Sequence, residues 1–289
     1  MFNFFKKNKE LVKNKKVKVG LALGGGASRG IAHIGVIKAF EENNIEFDFI
    51  AGTSVGSLIG AMYANNKTSD EMLEIAKSLK VKDIRQSRFF MPSKTKGIQE
   101  LVKENLGDID ITECKKPFCA VAVDLKSAKE LAITKGPLAL AVAGSCAIPG
   151  VFNPVEFNDY HLVDGGIQNN IPSDIPRYFG CDYVVAVDVN STRGGGTDSL
   201  KLIDILKVTI GIMGKANSLR GYLDADFVIK PSMAKYKSTK IDEVEEMYAE
   251  GYKAGLDCIQ QILSIISKKP NRKIKKRNKI LQEKKPEIV

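Results

Sequence analysis

The sequence predicts an α/β fold with a mainly parallel central sheet, and three observations carry that expectation. An apolar run at residues 17–23 (VKVGLAL) stops at a glycine-rich stretch. Ile31, Ile34, Ile37 and Phe40 then recur at helical spacing up to Asn43-Asn44, and a second apolar run at 47–51 follows, so the segment reads as a βαβ unit with parallel strands. Two more β-branched and alanine-rich runs, 118–123 (FCAVAV) and 182–187 (DYVVAV), read as further buried strands.

The remaining elements fall between these runs. A helix is expected over 57–65, another over 68–79 with a cap near Ser69, and an alanine-rich one over 137–144. Residues 130–134 pair with 118–123, and 160–163 (YHLV) form a short strand running into Asp164-Gly165-Gly166. Helices follow near 173–179 and 200–215, then a last strand at 227–230. Residues 241–266 read as a long amphipathic helix packed on the sheet, with Gly251 and Gly255 on its apolar stripe allowing close approach. Residues 80–97, basic with Phe89, Phe90 and Met91, read either as a loop over a cleft or as a helix connection with two core phenylalanines. The stretch 191–198 (STRGGGTD) reads as a flexible loop.

At 289 residues and 44% apolar composition, the chain has room for one large α/β domain or two small ones. Its five cysteines form no C-x-x-C pair, so neither a disulfide framework nor a zinc site is indicated, and a reducing compartment is expected. No apolar run approaches the roughly 20 residues that span a bilayer, and the N-terminus has no signal-type apolar region, so the expected setting is the cytoplasm. Residues 1–18 carry a net +6 and residues 268–289 a net +8, which against a total of +10 leaves the body at −4. Basic ends of this kind suit anionic lipid headgroups at the inner membrane surface, nucleic acid, or plain solvation. Phe2, Phe4 and Phe5 beside lysines favour the lipid surface over nucleic acid, for which the body lacks a basic, aromatic-studded face.

Residues 47–61 (FDFIAGTSVGSLIGA) place Ser54 between Gly52 and Gly56 at the junction of strand and helix, the arrangement of a nucleophile elbow. Side chains at the two glycine positions would collide as strand and helix close on the serine. Upstream, Gly24-Gly25-Gly26-Ala27-Ser28-Arg29-Gly30 opens a helix, where free backbone N–H groups and the helix dipole suit a phosphate or an oxyanion. Arg29 and Ala27 stand where a dinucleotide fingerprint needs glycine, and no Gly-Lys-Ser/Thr follows, so nucleotide binding is disfavoured. The loop is instead expected to supply an oxyanion hole from the N–H groups of Gly25, Gly26 and Ala27. Arg29 would either orient the loop or attract an anionic substrate.

The base is the remaining requirement. His161 lies three residues before Asp164 on one strand, and the two therefore face opposite ways; His33 reads as a helix residue packed near the first strand. Asp164, at a strand end before two glycines, is the better candidate, giving a Ser54–Asp164 dyad.

Taken in order, GLALGGGASRGIAHIGVIKAFEE, GTSVG and VDGG resemble the patatin-like phospholipases, in particular compact bacterial members, over about residues 17–230; SCAIPGVFNPV adds to the likeness. The resemblance implies a three-layer α/β/α fold and hydrolysis of phospholipid or other acyl-ester lipids through an acyl-enzyme, with neither metal nor cofactor. It carries the nucleophile to Ser54, the base to Asp164 and the oxyanion loop to Gly24, Gly25, Gly26, Ala27, Arg29 and Gly30. Ala27 departs from the family's frequent glycine and is expected to fit if its φ is negative. The expected organisation is a basic tail at 1–16, one hydrolytic domain at 17–267 and a basic disordered tail at 268–289. The alternative is a lipid-binding or regulatory module with little turnover.

Overall fold

The computed structural model describes residues 17–79, 93–191, 201–236, 243–283 and 286–289. The expectations for residues 1–16, for 80–92 and for most of the 191–198 loop lie outside the described residues.

The chain runs β1 (Val19–Leu23), α1 (Ile31–Glu42), β2 (Phe49–Thr53), α2 (Val55–Ala64), α3 (Ser69–Ser78) and α4 (Lys96–Leu106). It continues with β3 (Phe118–Asp124), β4 (Lys129–Ile133), α5 (Leu138–Ser145), β5 (Val155–Phe157), β6 (Tyr160–Asp164), α6 (Asp174–Tyr178) and β7 (Tyr183–Val187). The last elements are α7 (Leu202–Asp224), β8 (Phe227–Ile229), α8 (Val244–Ile266), α9 (Arg272–Gln282) and β9 (Glu287–Ile288). One sheet takes the order β5-β6-β3-β2-β1-β7-β8, with β4 also on β3 and β9 beyond β4. Its centre is parallel, and the β3-β4, β3-β6 and β5-β6 pairs are antiparallel.

Strand alternation divides the core into two layers. Val19, Leu21 and Leu23 of β1, with Phe118, Ala120 and Ala122 of β3, face a large cluster with α1–α5 and α8. Ala22, Cys119 and Val121 face the other side, under Ile175 of α6 and Tyr222 of α7. The result is the expected α/β/α sandwich. Its first side is much the thicker, and its second is covered mainly by α6, α7 and α9.

Helix α8 packs chiefly on α1 and touches the sheet at β7 and β8. A Cβ on Gly251 would lie 2.0 Å from the Ala32 carbonyl oxygen, and one on Gly35 would lie 2.0 Å from that of Tyr248, so both glycines are needed for this helix crossing. The tail expected to be disordered is instead ordered in two places. Asn271 caps α9 by accepting from the Ile274 N–H, and β9 pairs in parallel with β4. The lysines of α9 leave an amphipathic helix intact because Asn278 and Leu281 turn inward, where Asn278 donates to the Asp182 carbonyl and accepts from Arg177.

Candidate active site

Ser54 sits between β2 and α2 with φ 55° and ψ −130°, a left-handed conformation that ordinary residues avoid. A Cβ on Gly52 would fall 2.3 Å from the Gly56 carbonyl oxygen, and one on Gly56 would fall 2.1 Å from that of Leu23. The close approach that forces the turn thus depends on both glycines. The Ser54 N–H donates to Ser145 Oγ at 2.9 Å, and that hydroxyl donates to the Val121 carbonyl at 2.6 Å. Ser57 closes the turn from the other side, its N–H and its hydroxyl both donating to the Ser54 carbonyl.

Topology brings Asp164 to this turn. Along one edge of β3, β2 pairs with the first half and ends with Thr53 opposite Val121. The antiparallel β6 pairs with the second half and ends with Asp164 opposite Ala122, while β4 takes the other edge. Two strands therefore run head-on and stop at consecutive residues of a shared neighbour, so the residue after Thr53 meets Asp164. Gly165 permits this, because a Cβ there would lie 2.4 Å from the Val121 carbonyl oxygen. The Asp164 N–H donates to the Ala147 carbonyl, and Oδ1 accepts from the Gly166 N–H at 2.8 Å.

The Asp164 carboxyl is buried, and burial pushes its pKa up from 3.8 to about 6; the Ser54 hydroxyl and the Gly166 amide, both hydrogen-bonded to it, pull the other way. It remains largely ionised at neutral pH. Burial raises the neighbouring Cys146 thiol, so that group stays protonated.

The glycine loop corrects part of the sequence reading. The Gly24 N–H is spent on the Val187 carbonyl at 3.0 Å and the Gly25 N–H on the Asn170 carbonyl at 3.1 Å, so neither points an unoccupied donor at Ser54. The first extends the parallel β1–β7 ladder by one step, and the second ties the loop to the segment that follows Asp164-Gly165-Gly166. Gly25 still lies against the serine: a Cβ there would come 3.2 Å from Ser54 Cβ. The N–H groups of Gly26 and Ala27, at the start of a 3₁₀ turn over Ala27–Gly30, have no partner among the described residues. Ala27 has φ 51°, so the condition under which alanine was expected to fit without cost is not met, and it carries strain that glycine would not. Gly30 serves packing, since a Cβ there would strike the Val55 side chain at 2.3 Å.

Arg29 is buried and acts on the loop. Its guanidinium donates twice to the Tyr236 carbonyl and once to Asn190 Oδ1, and the Asn190 amide donates to the Gly25 carbonyl at 2.7 Å. Of its two readings, the orienting one matches these contacts. His33 Nε2 donates to the Gly24 carbonyl at 2.8 Å from a buried ring whose pKa burial lowers to about 4, so it is a neutral brace for the loop. His161 does not line the cavity beside Ser54.

That cavity, of about 440 Å³, is bounded by Gly25, Gly26, Ala27, Ser54, Asp164 and Asn170 and otherwise almost wholly by apolar side chains. Leu58, Ile59 and Met62 of α2, Met72 and Ile75 of α3, and Ile98 and Leu101 of α4 are among them. Its size and lining suit an acyl chain. Among the described residues no cluster of three or more His, Cys, Asp or Glu is arranged to hold a metal ion. Ser145, Asn170 and Asn190 were not singled out from sequence. Their partners are groups distant along the chain, and only the position of Ser145 within SCAIPG gave any signal.

The fold is an α/β sandwich whose strand-to-helix turn at Ser54 has the shape of a nucleophile elbow. Sequence comparison makes this specific: residues 21–176 match the profile of the patatin-like phospholipases, and the chain belongs to that family. An uncharacterised NTE family protein of Mycobacterium tuberculosis is 36% identical over 185 residues, which are 62% of this chain and 51% of that protein. Human patatin-like phospholipase domain-containing protein 6 is 34% identical over 183 residues, 60% of this chain and 13% of the other. The chain spans about half the length of the mycobacterial relative. Among solved structures, VipD from Legionella pneumophila shares the fold with a TM-score of 0.52 at 14% identity, over 86% of this chain and 67% of its own.

Proposed function

We propose that the protein is a serine lipid acyl hydrolase working through a Ser54–Asp164 dyad. The observation that carries the reading is the head-on meeting of β2 and β6, which sets a strained serine beside a buried carboxylate at an apolar cavity. Ser54 Oγ attacks the ester carbonyl while Asp164 takes its proton. The N–H groups of Gly26 and Ala27 receive the negative charge that develops on the carbonyl oxygen. Collapse breaks the bond to the alcohol, which leaves with the proton from Asp164 and an acyl group on Ser54. Water, deprotonated by Asp164, then releases the fatty acid and restores the serine.

The substrate class is phospholipid or another acyl-ester lipid, with the acyl chain in the apolar cavity. The peripheral setting at an anionic membrane belongs to the same reading. None of the helices among the described residues is long and apolar enough to cross a bilayer.

A fluorophosphonate probe is expected to label wild type and not Ser54→Ala, and both Ser54→Ala and Asp164→Asn are expected to lose turnover of short- and long-chain esters. Labelling that survives Ser54→Ala, or turnover that survives Asp164→Asn, would sink the dyad. Binding to liposomes with no turnover on a broad ester panel would point to a lipid-binding module instead.

A further inference from the structure

Helix α7 is apolar on two sides. Its inner side supplies Ile210, Gly211, Gly214 and Lys215 to the cavity, packs Gly221 against Ile171 and buries Ser218 against Asn170. Its outer side should then be polar, because a surface helix buries one stripe. It is not. Of the ten strongly exposed large apolar side chains among the described residues, six lie here: Leu202, Ile205, Ile212, Met213, Leu219 and Leu223, the last 79% exposed. At the ideal 100° per residue they fall within an arc of roughly 120° running the length of the helix. A continuous exposed strip of this kind marks a docking surface.

Charge identifies the occupant. Lys215 is exposed on the helix, and Arg220, also exposed, is paired with Glu130 and Asp174 and so adds no net charge. Asp204 is half-buried and Asp224 buried, so no fully exposed acid of the helix interrupts the strip, and the cations that bear on it are chiefly those of α9. On the same side of the sheet, α7 packs on α6 and α6 on α9. Arg272, Lys275, Lys276 and Lys279 of α9 are exposed, no acid occurs in that helix, and Ile280 also stands in solvent. Apolar side chains beside clustered cations are the chemistry of an interfacial element on an anionic bilayer. A two-fold dimer through the same strip would set two cationic layers against each other, which like charges oppose.

We infer that the outer face of α7, flanked by α9, docks the protein on an anionic lipid surface. The inference deepens the lipid hydrolase reading and rests on it for the identity of the surface. Only the width of one helix, about 10 Å, separates the docked face from the cavity beside Ser54. The same helix braces the site, because Asn217 donates to the Ile167 carbonyl just after Asp164-Gly165-Gly166.

The test is flotation of the full chain with phosphatidylcholine vesicles, with and without phosphatidylglycerol, alongside turnover of a dispersed short-chain ester. Wild type is expected to float with the anionic vesicles and to be released by salt. The Leu219→Asp/Leu223→Asp double variant replaces no residue that lines the cavity. It is expected to bind those vesicles roughly tenfold to a hundredfold more weakly, the loss due to two buried leucines, while turning over the dispersed ester at about the wild-type rate. Leu202→Asp, at the opposite end, is expected to weaken vesicle binding by about tenfold and guards against misfolding of the first variant. Unchanged flotation of both variants overturns the inference. So does a wild-type dimer that fails to float and that the double variant splits. A wild type that floats through α7 yet hydrolyses no ester keeps the docking face and overturns the hydrolase reading. One that hydrolyses esters without floating does the reverse.

Discussion

The amide of Ser54 donates to the hydroxyl of Ser145 at 2.9 Å, and this single bond ties the strained turn to the C-terminal end of α5. The hydroxyl hands its own proton to the Val121 carbonyl, so it answers two buried backbone groups at once. Ser145→Ala leaves both unanswered, at a cost of about 1–3 kcal/mol each before relaxation. The expected result is reduced stability in chemical denaturation and a kcat lowered by about tenfold or more, with KM nearly unchanged, because Ser54 loses its alignment and the cavity does not change.

Asp164 gives a prediction of opposite sign for activity and stability. A base must be ionised, so kcat/KM should fall below a pH of about 6, by about tenfold for each further unit of acidity. For stability, the folded pKa lies above the unfolded one. Between pH 3.8 and about 6 the folded protein holds a proton that the unfolded chain has released, so stability declines as pH rises through that window and the deficit persists at neutrality. Asp164→Asn should therefore be inactive yet more stable at pH 7, by on the order of 2–3 kcal/mol. Thermal melts at pH 4 and pH 7 measure this, with the advantage vanishing at the lower pH.

Ala27 at φ 51° predicts that Ala27→Gly gains stability. Removal of the Cβ penalty in the left-handed region is worth roughly 1 kcal/mol, partly offset by the greater freedom of glycine in the unfolded chain. A small rise in melting temperature with activity retained is the expected outcome.

Arg29 separates two kinds of effect. Since its guanidinium holds the Tyr236 carbonyl and Asn190, Arg29→Ala should lower kcat for neutral and anionic esters by the same factor, at least about tenfold. A loss confined to anionic esters, seen in KM, would assign it to substrate attraction instead.

The sequence made the βαβ start, the elbow and Asp164 legible because each depends on local rules: apolar runs, glycine at close approaches and a strand end before two glycines. Ser54 and Asp164 were paired from sequence without any view of the β2–β6 junction, which depends on non-local pairing. The oxyanion loop was legible as a glycine-rich helix start, but which amides remain unspent depends on Val187 and Asn170, residues more than a hundred positions away. The outer strip of α7 escaped notice because the helix was expected to end at residue 215, ahead of Leu219 and Leu223, and because periodicity alone does not tell an inward face from an outward one. The helical fate of 272–282 was hidden by its charge. Composition alone suggested disorder, while Asn278 and Arg177 supplied the anchor.

The abutment of β2 and β6 on β3 also divides the molecule by what is free to vary. The proposed reacting groups are fixed by strand ends sharing one neighbour, whereas one part of the cavity wall, Met72, Ile75, Ile98 and Leu101, comes from α3 and α4 in the long excursion between β2 and β3. That excursion can be lengthened, shortened or resurfaced without shifting the register of Thr53 on Val121 or Asp164 on Ala122. Substrate preference can therefore drift in evolution, or be redesigned, one segment at a time, while the chemistry stays still.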